Sequence, residues 1–172
     1  FNIQKEVYPQ ASIDPNTFEE AFILYLPPFL IPFIFLSKLH ISLSFIVWTI
    51  INLLVLLLYL KFFIQNMLKE KIQLNSFSLV LMSLPVFLNF YFGQVNIWLA
   101  IFIGEFLRAI NQEKYMKGGI WLGGLLLKPQ LLILLIPMLM VRKQWKILQG
   151  FLISSFFIGI LSLVLIGKSG LL

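Results

Sequence analysis

The chain has 172 residues, of which 60% are hydrophobic and only 12% charged, whereas a soluble domain carries about 25% charged residues. No polar stretch is long enough to fold as a separate soluble catalytic domain. The absence of cysteine excludes disulfides and thiolate metal sites, and one histidine, His40, cannot build a zinc cluster. The net charge of +6 fits lysines and arginines gathered at the cytoplasmic loop ends of a membrane protein and gives no reason to expect a nucleic-acid partner.

The apolar residues fall into seven runs, several near the ~20 residues that span a bilayer core. They predict an all-α polytopic transmembrane bundle, one membrane domain over residues 1–172. Residues 1–20 are polar and mildly acidic (Glu6, Asp14, Glu19 and Glu20 against Lys5) and read as an extracytoplasmic loop. The run 21–37, "AFILYLPPFLIPFIFLS", carries Pro27, Pro28 and Pro32. Proline removes a helix hydrogen bond and clashes with the preceding turn, and the run is short, so a juxtamembrane or re-entrant helix is expected. If it crosses instead, residues 1–20 move to the cytoplasmic side.

Clear transmembrane helices are expected over 43–60, 77–92 (kinked at Pro85), 95–108 and 150–167. Glu105 and Arg108 stand i,i+3 at the end of the third, where they can pair. Between 108 and 150 lie two short apolar runs separated by "KPQ". Three basic clusters orient the chain: Lys61, Lys69 and Lys71; Arg108, Lys114 and Lys117; Arg142, Lys143 and Lys146. All three belong on the cytoplasmic side if residues 93–96 lie outside and residues 118–141 enter and return as a hairpin of two short helices with Lys128 at its tip. A single span of that length would put Arg142, Lys143 and Lys146 outside. Length favours the span; the charges, and Pro129 breaking the helix beside Lys128, favour the hairpin, which is the reading adopted. Small residues at Gly119/Gly123, Gly150/Ser154 and Ser155/Gly159 predict close helix packing. The chain starts at Phe1 and ends in or just after an apolar run, which reads as a piece of a longer protein.

Lys128 is the sharpest chemical signal. A lysine among leucines at membrane depth is costly unless it faces a cavity or a partner, and it marks a functional site by default. No acid lies near it in sequence, so a ligand anion such as a phosphate is its natural partner; the bland alternative is a lysine that snorkels to the surface. In "NFYFGQVNIWLA", residues 89–100, the turn carries Gly93, Gln94 and Asn96 and no charge. Neutral amides can hydrogen-bond sugar hydroxyls; equally, this is the composition of an ordinary turn. Tyr25 beside Pro27 and Pro28 suits either an interfacial anchor or a site residue. Asp14, Glu19 and Glu20 could include a general base, although solvated loop acids are commoner. Asn52 and Asn89 read as interhelical hydrogen-bonding amides.

Several stretches together resemble the polyprenol-phosphate-dependent membrane glycosyltransferases of family 87. "FILYLPPFLIPFIFL" is similar to that family's F-x-Y-x-P-P stretch, with Trp48 and Asn52 following as in its next helix. "GQVN" is similar to its G-Q-x-N signature, and "GGIWLGGLLLKPQLLILLIP" to its A-G-x-x-x-G…K-x-x-P segment. "VYP" at 7–9 looks like the end of its first outer loop. The chain departs from the pattern at Gly118, where alanine is usual, and at Leu131, where proline is usual, with Pro129 directly after Lys128 instead.

The resemblance implies a GT-C-like enzyme of the cell (plasma) membrane. Such an enzyme moves a sugar, commonly mannose, from a polyprenyl-phosphate donor to a lipid or glycan acceptor on the outer face. It implies no cofactor, since the lipid-linked sugar is a substrate, and nothing in the sequence requires a metal. Its partners would be membrane lipids, the donor and the acceptor. It implies that Lys128, Gln94, Asn96 and Tyr25 bind substrate, and that the catalytic acid belongs to a segment before Phe1, with Asp14, Glu19 and Glu20 as weak candidates within the chain. A transporter or lipid flippase, which also uses broken helices and intramembrane lysines, and a non-catalytic scaffold subunit are the rival readings.

Overall fold

The computed structural model describes residues 26–65 and 74–166, with backbone alone at 74–77 and 166. Tyr25, Asp14, Glu19, Glu20 and the expected outer loop 1–20 lie outside the described residues. Those described form helices and turns without a strand.

The proline-rich run is helical in two short pieces. A 3₁₀ turn, Pro27–Leu30, leads into α1, Ile31–Leu36, and each begins with proline in its first two positions. There the missing N–H costs nothing and the fixed φ favours entry into a helix. The two pieces make ten residues, Pro27–Leu36, about 15–20 Å long and too short for the ~30 Å apolar core of a bilayer.

α2, Ile41–Phe63, is 23 residues long and apolar all round. Its Ile46, Ile50, Leu54 and Leu58 are exposed, as lipid-facing side chains would be. The expected helix over 77–92 is two helices, α3, Leu74–Leu81, and α4, Leu84–Tyr91. The break lies at Met82 and Ser83, three residues before the expected kink. The cause is Pro85 acting backward: its ring excludes a helical carbonyl four residues earlier, at Leu81, so α3 stops there. Ser83 is extended (φ −69°, ψ 139°), and its Oγ donates to the Val80 carbonyl at 2.6 Å.

α5, Asn96–Asn111, is followed by α6, Tyr115–Leu122, which tightens into a 3₁₀ stretch, Gly123–Leu127. The helix then breaks at Lys128 (φ −137°, ψ 86°), a short turn Pro129–Leu131 follows, and α7 covers Leu132–Val141. The last helix is α8, Trp145–Ile166. α2 and α8 are the two described helices long and apolar enough to cross a membrane.

Three turns between helices repeat one geometry. After α4, α5 and α7, the residue past the C-cap has positive φ: Gly93 (60°), Glu113 (57°) and Lys143 (54°). The next N–H reaches back six residues' span to close the helix: Gln94 to Asn89, Lys114 to Ala109 and Gln144 to Leu139, each at 2.9 Å. This is the Schellman motif, whose left-handed position glycine fills without strain. Glycine occupies it only at 93.

Close contacts fix the direction of each limb. A methyl on Gly124 would overlap the Phe102 ring, and one on Gly118 would lie 3.2 Å from Ile110, so α6 runs back along α5. A methyl on Gly119 would overlap the Ile147 carbonyl, one on Gly150 the Met116 carbonyl, and one on Gly123 the Ser154 hydroxyl. α6 and α8 therefore run in the same direction with backbones in contact, the approach that small residues permit. For both to start at the same end, the chain between them must go out and return. The two limbs meet at Lys128. Each is about 21–22 Å long, so neither crosses a bilayer alone. The expected Ser155/Gly159 packing pair is not used among the described residues: a methyl on Gly159 would meet nothing within 4 Å.

At the far end of α5, Glu105 and Arg108 form a two-pronged ion pair, with Arg108 Nε 2.9 and 3.0 Å from the two carboxylate oxygens. Tyr59 of α2 points its hydroxyl at the same carboxylate from 3.5 Å, and Arg108 lies over the Phe62 ring at 5.3 Å. The buried cluster Trp48, Val95, Leu99, Leu122, Leu125, Leu127 and Leu132 ties α2, α5 and both limbs of the hairpin together, with Phe29 and Phe33 packed against it.

Candidate functional site

The site forms at the beginning of α5, where the tip of the hairpin arrives. Asn96 is the first residue of that helix. A helix start leaves backbone N–H groups without intrahelical partners, and here a side chain from the preceding helix takes one of them. Asn89 Oδ1 accepts from the Asn96 N–H at 3.0 Å. The Asn89 carbonyl also accepts from the Gln94 N–H at 2.9 Å. One residue at the end of α4 thus closes the turn through both its backbone and its side chain.

Trp48 holds the same turn from the other side. Its indole Nε1 donates to the Gly93 carbonyl at 3.0 Å, and its ring packs on Phe33 of α1 at 4.7 Å between centroids. Asn52, expected to bond between helices, instead donates to the Trp48 carbonyl of its own helix at 2.8 Å, the i to i−4 bond open to a short polar side chain inside a helix. Glycine is favoured at 93 chiefly by its backbone, with a tight contact to Phe45 in addition. Its φ is positive, and a methyl there would sit 3.3 Å from Phe45 and 3.8 Å from Trp48.

Within this frame three polar side chains join. The Asn96 amide nitrogen donates to Gln94 Oε1 in a short contact. The Asn96 amide oxygen accepts from Lys128 Nζ at 2.7 Å. Lys128, notable for its charge, and Asn96 and Gln94, notable as neutral amides of one turn, therefore form one chain of contacts. Tyr25 lies outside the described residues.

The electrostatics of this cluster differ from those at the other end of α5. Arg108 is matched by Glu105, so that cation is already spent. Lys128 has no carboxylate partner among the described residues; its contact is a neutral amide oxygen. An ammonium carries three N–H donors, and Asn96 takes one. Half-buried between Leu127 and Pro129, Lys128 keeps two donors that no described side chain takes. Gln94 is exposed, so its amide is within reach of a ligand's hydroxyls. Among the described residues no three His, Cys, Asp or Glu side chains come together as a metal site needs.

A groove of about 810 Å3 adjoins the turn and shares Trp48 and Gly93 with it. Phe33, Leu36, Phe45 and Phe92 make it largely apolar, with Ser37, His40 and Ser44 as its polar members. The Ser44 hydroxyl is taken up by the Leu36 carbonyl at 2.6 Å. A cation-and-amide cluster next to an apolar groove suits an amphiphilic ligand with an anionic or hydroxyl-rich head.

Asn89, expected as an interhelical hydrogen-bonding amide, does bond from α4 to the first residue of α5, and its place in the site, like that of Trp48, is an addition from the structure. The available signal was spacing: an asparagine seven residues before Asn96, flanking the glycine turn, can reach over that turn to the next helix start.

The model of the protein family described as glycosyltransferase family 87 matches residues 22–171. Neither a curated protein nor a solved structure matches the chain.

Proposed function

Since the chain belongs to glycosyltransferase family 87, we propose that it is the part of a GT-C-like membrane glycosyltransferase that receives a polyprenyl-phosphate sugar. The donor sugar is a hexose of the mannose type, and the acceptor is a lipid or glycan at the outer face of the plasma membrane. The observation that carries this reading is the 2.7 Å contact between Lys128 Nζ and Asn96 Oδ1, a cation without an anion held in a cluster of neutral amides. The neighbouring apolar groove supports a lipid-linked donor over a water-soluble one.

In the reaction, an acceptor hydroxyl oxygen bonds to the anomeric carbon as the bond from that carbon to the phosphate oxygen breaks. The hydroxyl proton passes to a carboxylate base. Asp14, Glu19 and Glu20 are the candidates within the chain. The departing phosphate gains negative charge, which the Lys128 ammonium stabilises. Gln94 and Asn96 hold sugar or phosphate oxygens, and Tyr25 flanks the substrate. Membrane lipids are the surrounding partners, and the lipid-linked sugar enters as a substrate.

A lipid flippase or transporter would also use a helix broken beside a lysine, as at Lys128. Membranes containing the full-length protein discriminate the two. The enzyme converts a radiolabelled polyprenyl-phosphate hexose into a new labelled lipid or glycan. Movement of the label across vesicles with no new glycosidic product would overturn the proposal.

A further inference from the structure

The Lys128–Asn96 contact depends on where the first residue of α5 is held, and two residues hold it. Trp48, 6% exposed, comes from α2, and Asn89, 3% exposed, from α4. Their bonds cover the turn from end to end: Trp48 Nε1 to the Gly93 carbonyl, the Asn89 carbonyl to the Gln94 N–H, and Asn89 Oδ1 to the Asn96 N–H. Neither side chain touches Lys128 in any of these bonds. Gly93 has no side chain with which to fix itself and Gln94 is exposed; Val95 anchors the turn in the apolar core, and the bonds from Trp48 and Asn89 set the orientation of its backbone.

We infer that Trp48 and Asn89 are positioning residues, which set the Asn96 amide so that its oxygen holds the Lys128 ammonium in place for the donor phosphate. This rests on the reading of Lys128 as the counter-charge of that phosphate. The geometry separates the two residues' duties. Trp48 fixes the near side of the turn to α2, and its tilted ring contact with Phe33 does not need the indole N–H. Asn89 uses only its oxygens, since its buried Nδ2 has no partner among the described residues. Trp48→Phe therefore removes the hydrogen bond and keeps an aromatic ring, while Asn89→Asp keeps the acceptor oxygen and Asn89→Ala removes it.

The test uses the full-length protein in membranes with two readouts. One is the rate of Lys128 labelling by an amine-reactive reagent, followed by mass spectrometry of its peptide. The other is sugar transfer split into kcat and KM, with melting in detergent checking that each variant folds. Trp48→Phe and Asn89→Ala should raise Lys128 labelling severalfold and lower kcat about 10- to 100-fold, the scale of a catalytic group misplaced by an ångström. Asn89→Asp should keep Lys128 labelling near wild type. Unchanged labelling in Trp48→Phe and Asn89→Ala, or equal labelling in Asn89→Ala and Asn89→Asp, would overturn the inference and leave the transferase reading standing. A wild-type protein that transfers no sugar would overturn that reading, while the labelling pattern still tests how the turn is held.

Discussion

Lys128 Nζ lies 2.7 Å from Asn96 Oδ1 although 32 residues separate them in the chain. The contact brings the tip of a returning hairpin to the first residue of α5. It also leaves an ammonium paired with a neutral amide where an ion pair would have been cheaper. A site that must receive an anion has reason to keep that charge open.

Asn96→Asp tests that reasoning. A carboxylate at the same position would pair with Lys128 and use up the charge offered to a phosphate. Sugar transfer should fall roughly 10²-fold, the scale of losing one charge-stabilising group, while the melting temperature holds or rises. Full transfer with Asp at 96 would show that the open charge is not needed.

The glycines divide into two groups with opposite expected signs. Gly119→Ala and Gly150→Ala each push a methyl into a neighbouring backbone carbonyl and should cost about 1–3 kcal/mol or more, as overpacking does. Gly159 meets nothing within 4 Å, so Gly159→Ala should add about 1 kcal/mol through helix propensity alone. Denaturation of the three variants in detergent gives both signs in one series.

At the three Schellman turns, Glu113 and Lys143 hold left-handed backbone that glycine would adopt without strain. Glu113→Gly and Lys143→Gly should each stabilise by about 0.5–1 kcal/mol, the strain removed less the entropy glycine loses. Gly93→Ala should do the reverse by about 1–2 kcal/mol, and it alone of the three should also reduce transfer, because only its turn carries the site.

The Glu105–Arg108 pair is largely buried, at 6% and 16% side-chain exposure. Breaking one partner leaves the other uncompensated, at about 3–5 kcal/mol. Arg108→Met should therefore destabilise more than the double variant Glu105→Leu with Arg108→Met. Additive losses in a double-mutant cycle would contradict a coupled pair.

Much of this architecture is legible in the sequence because the membrane simplifies the code. Long apolar runs such as α2 and α8 need no amphipathic period, Pro27, Pro28 and Pro32 mark where helical pieces start, and Pro129 marks where one breaks. Helix ends are less legible: α2 extends to Phe63 and α5 to Asn111, beyond the 43–60 and 95–108 expected, because the charged residues that bound an apolar run still fit in its last helical turn. Pro85 announces a break, but its effect falls four residues earlier, so α3 and α4 separate at Met82–Ser83. In the site, Lys128, Gln94 and Asn96 stand out singly as polar residues in apolar surroundings. That they touch one another is not readable, because it depends on the hairpin carrying Lys128 back to the start of α5. Asn89 is legible as an amide that bonds between helices, as it does to the Asn96 N–H, but that it and Trp48 hold the site's turn is not, because each acts on backbone atoms, which leave no mark in side-chain patterns.

The central claim, that Lys128 supplies the charge which stabilises the departing phosphate, is tested most directly by Lys128→Met in the full-length protein. Membranes carrying the variant would be given a radiolabelled polyprenyl-phosphate hexose, with its membrane insertion checked in parallel. Transfer should fall about 10²- to 10³-fold while insertion stays normal; undiminished transfer by an inserted Lys128→Met protein would contradict it.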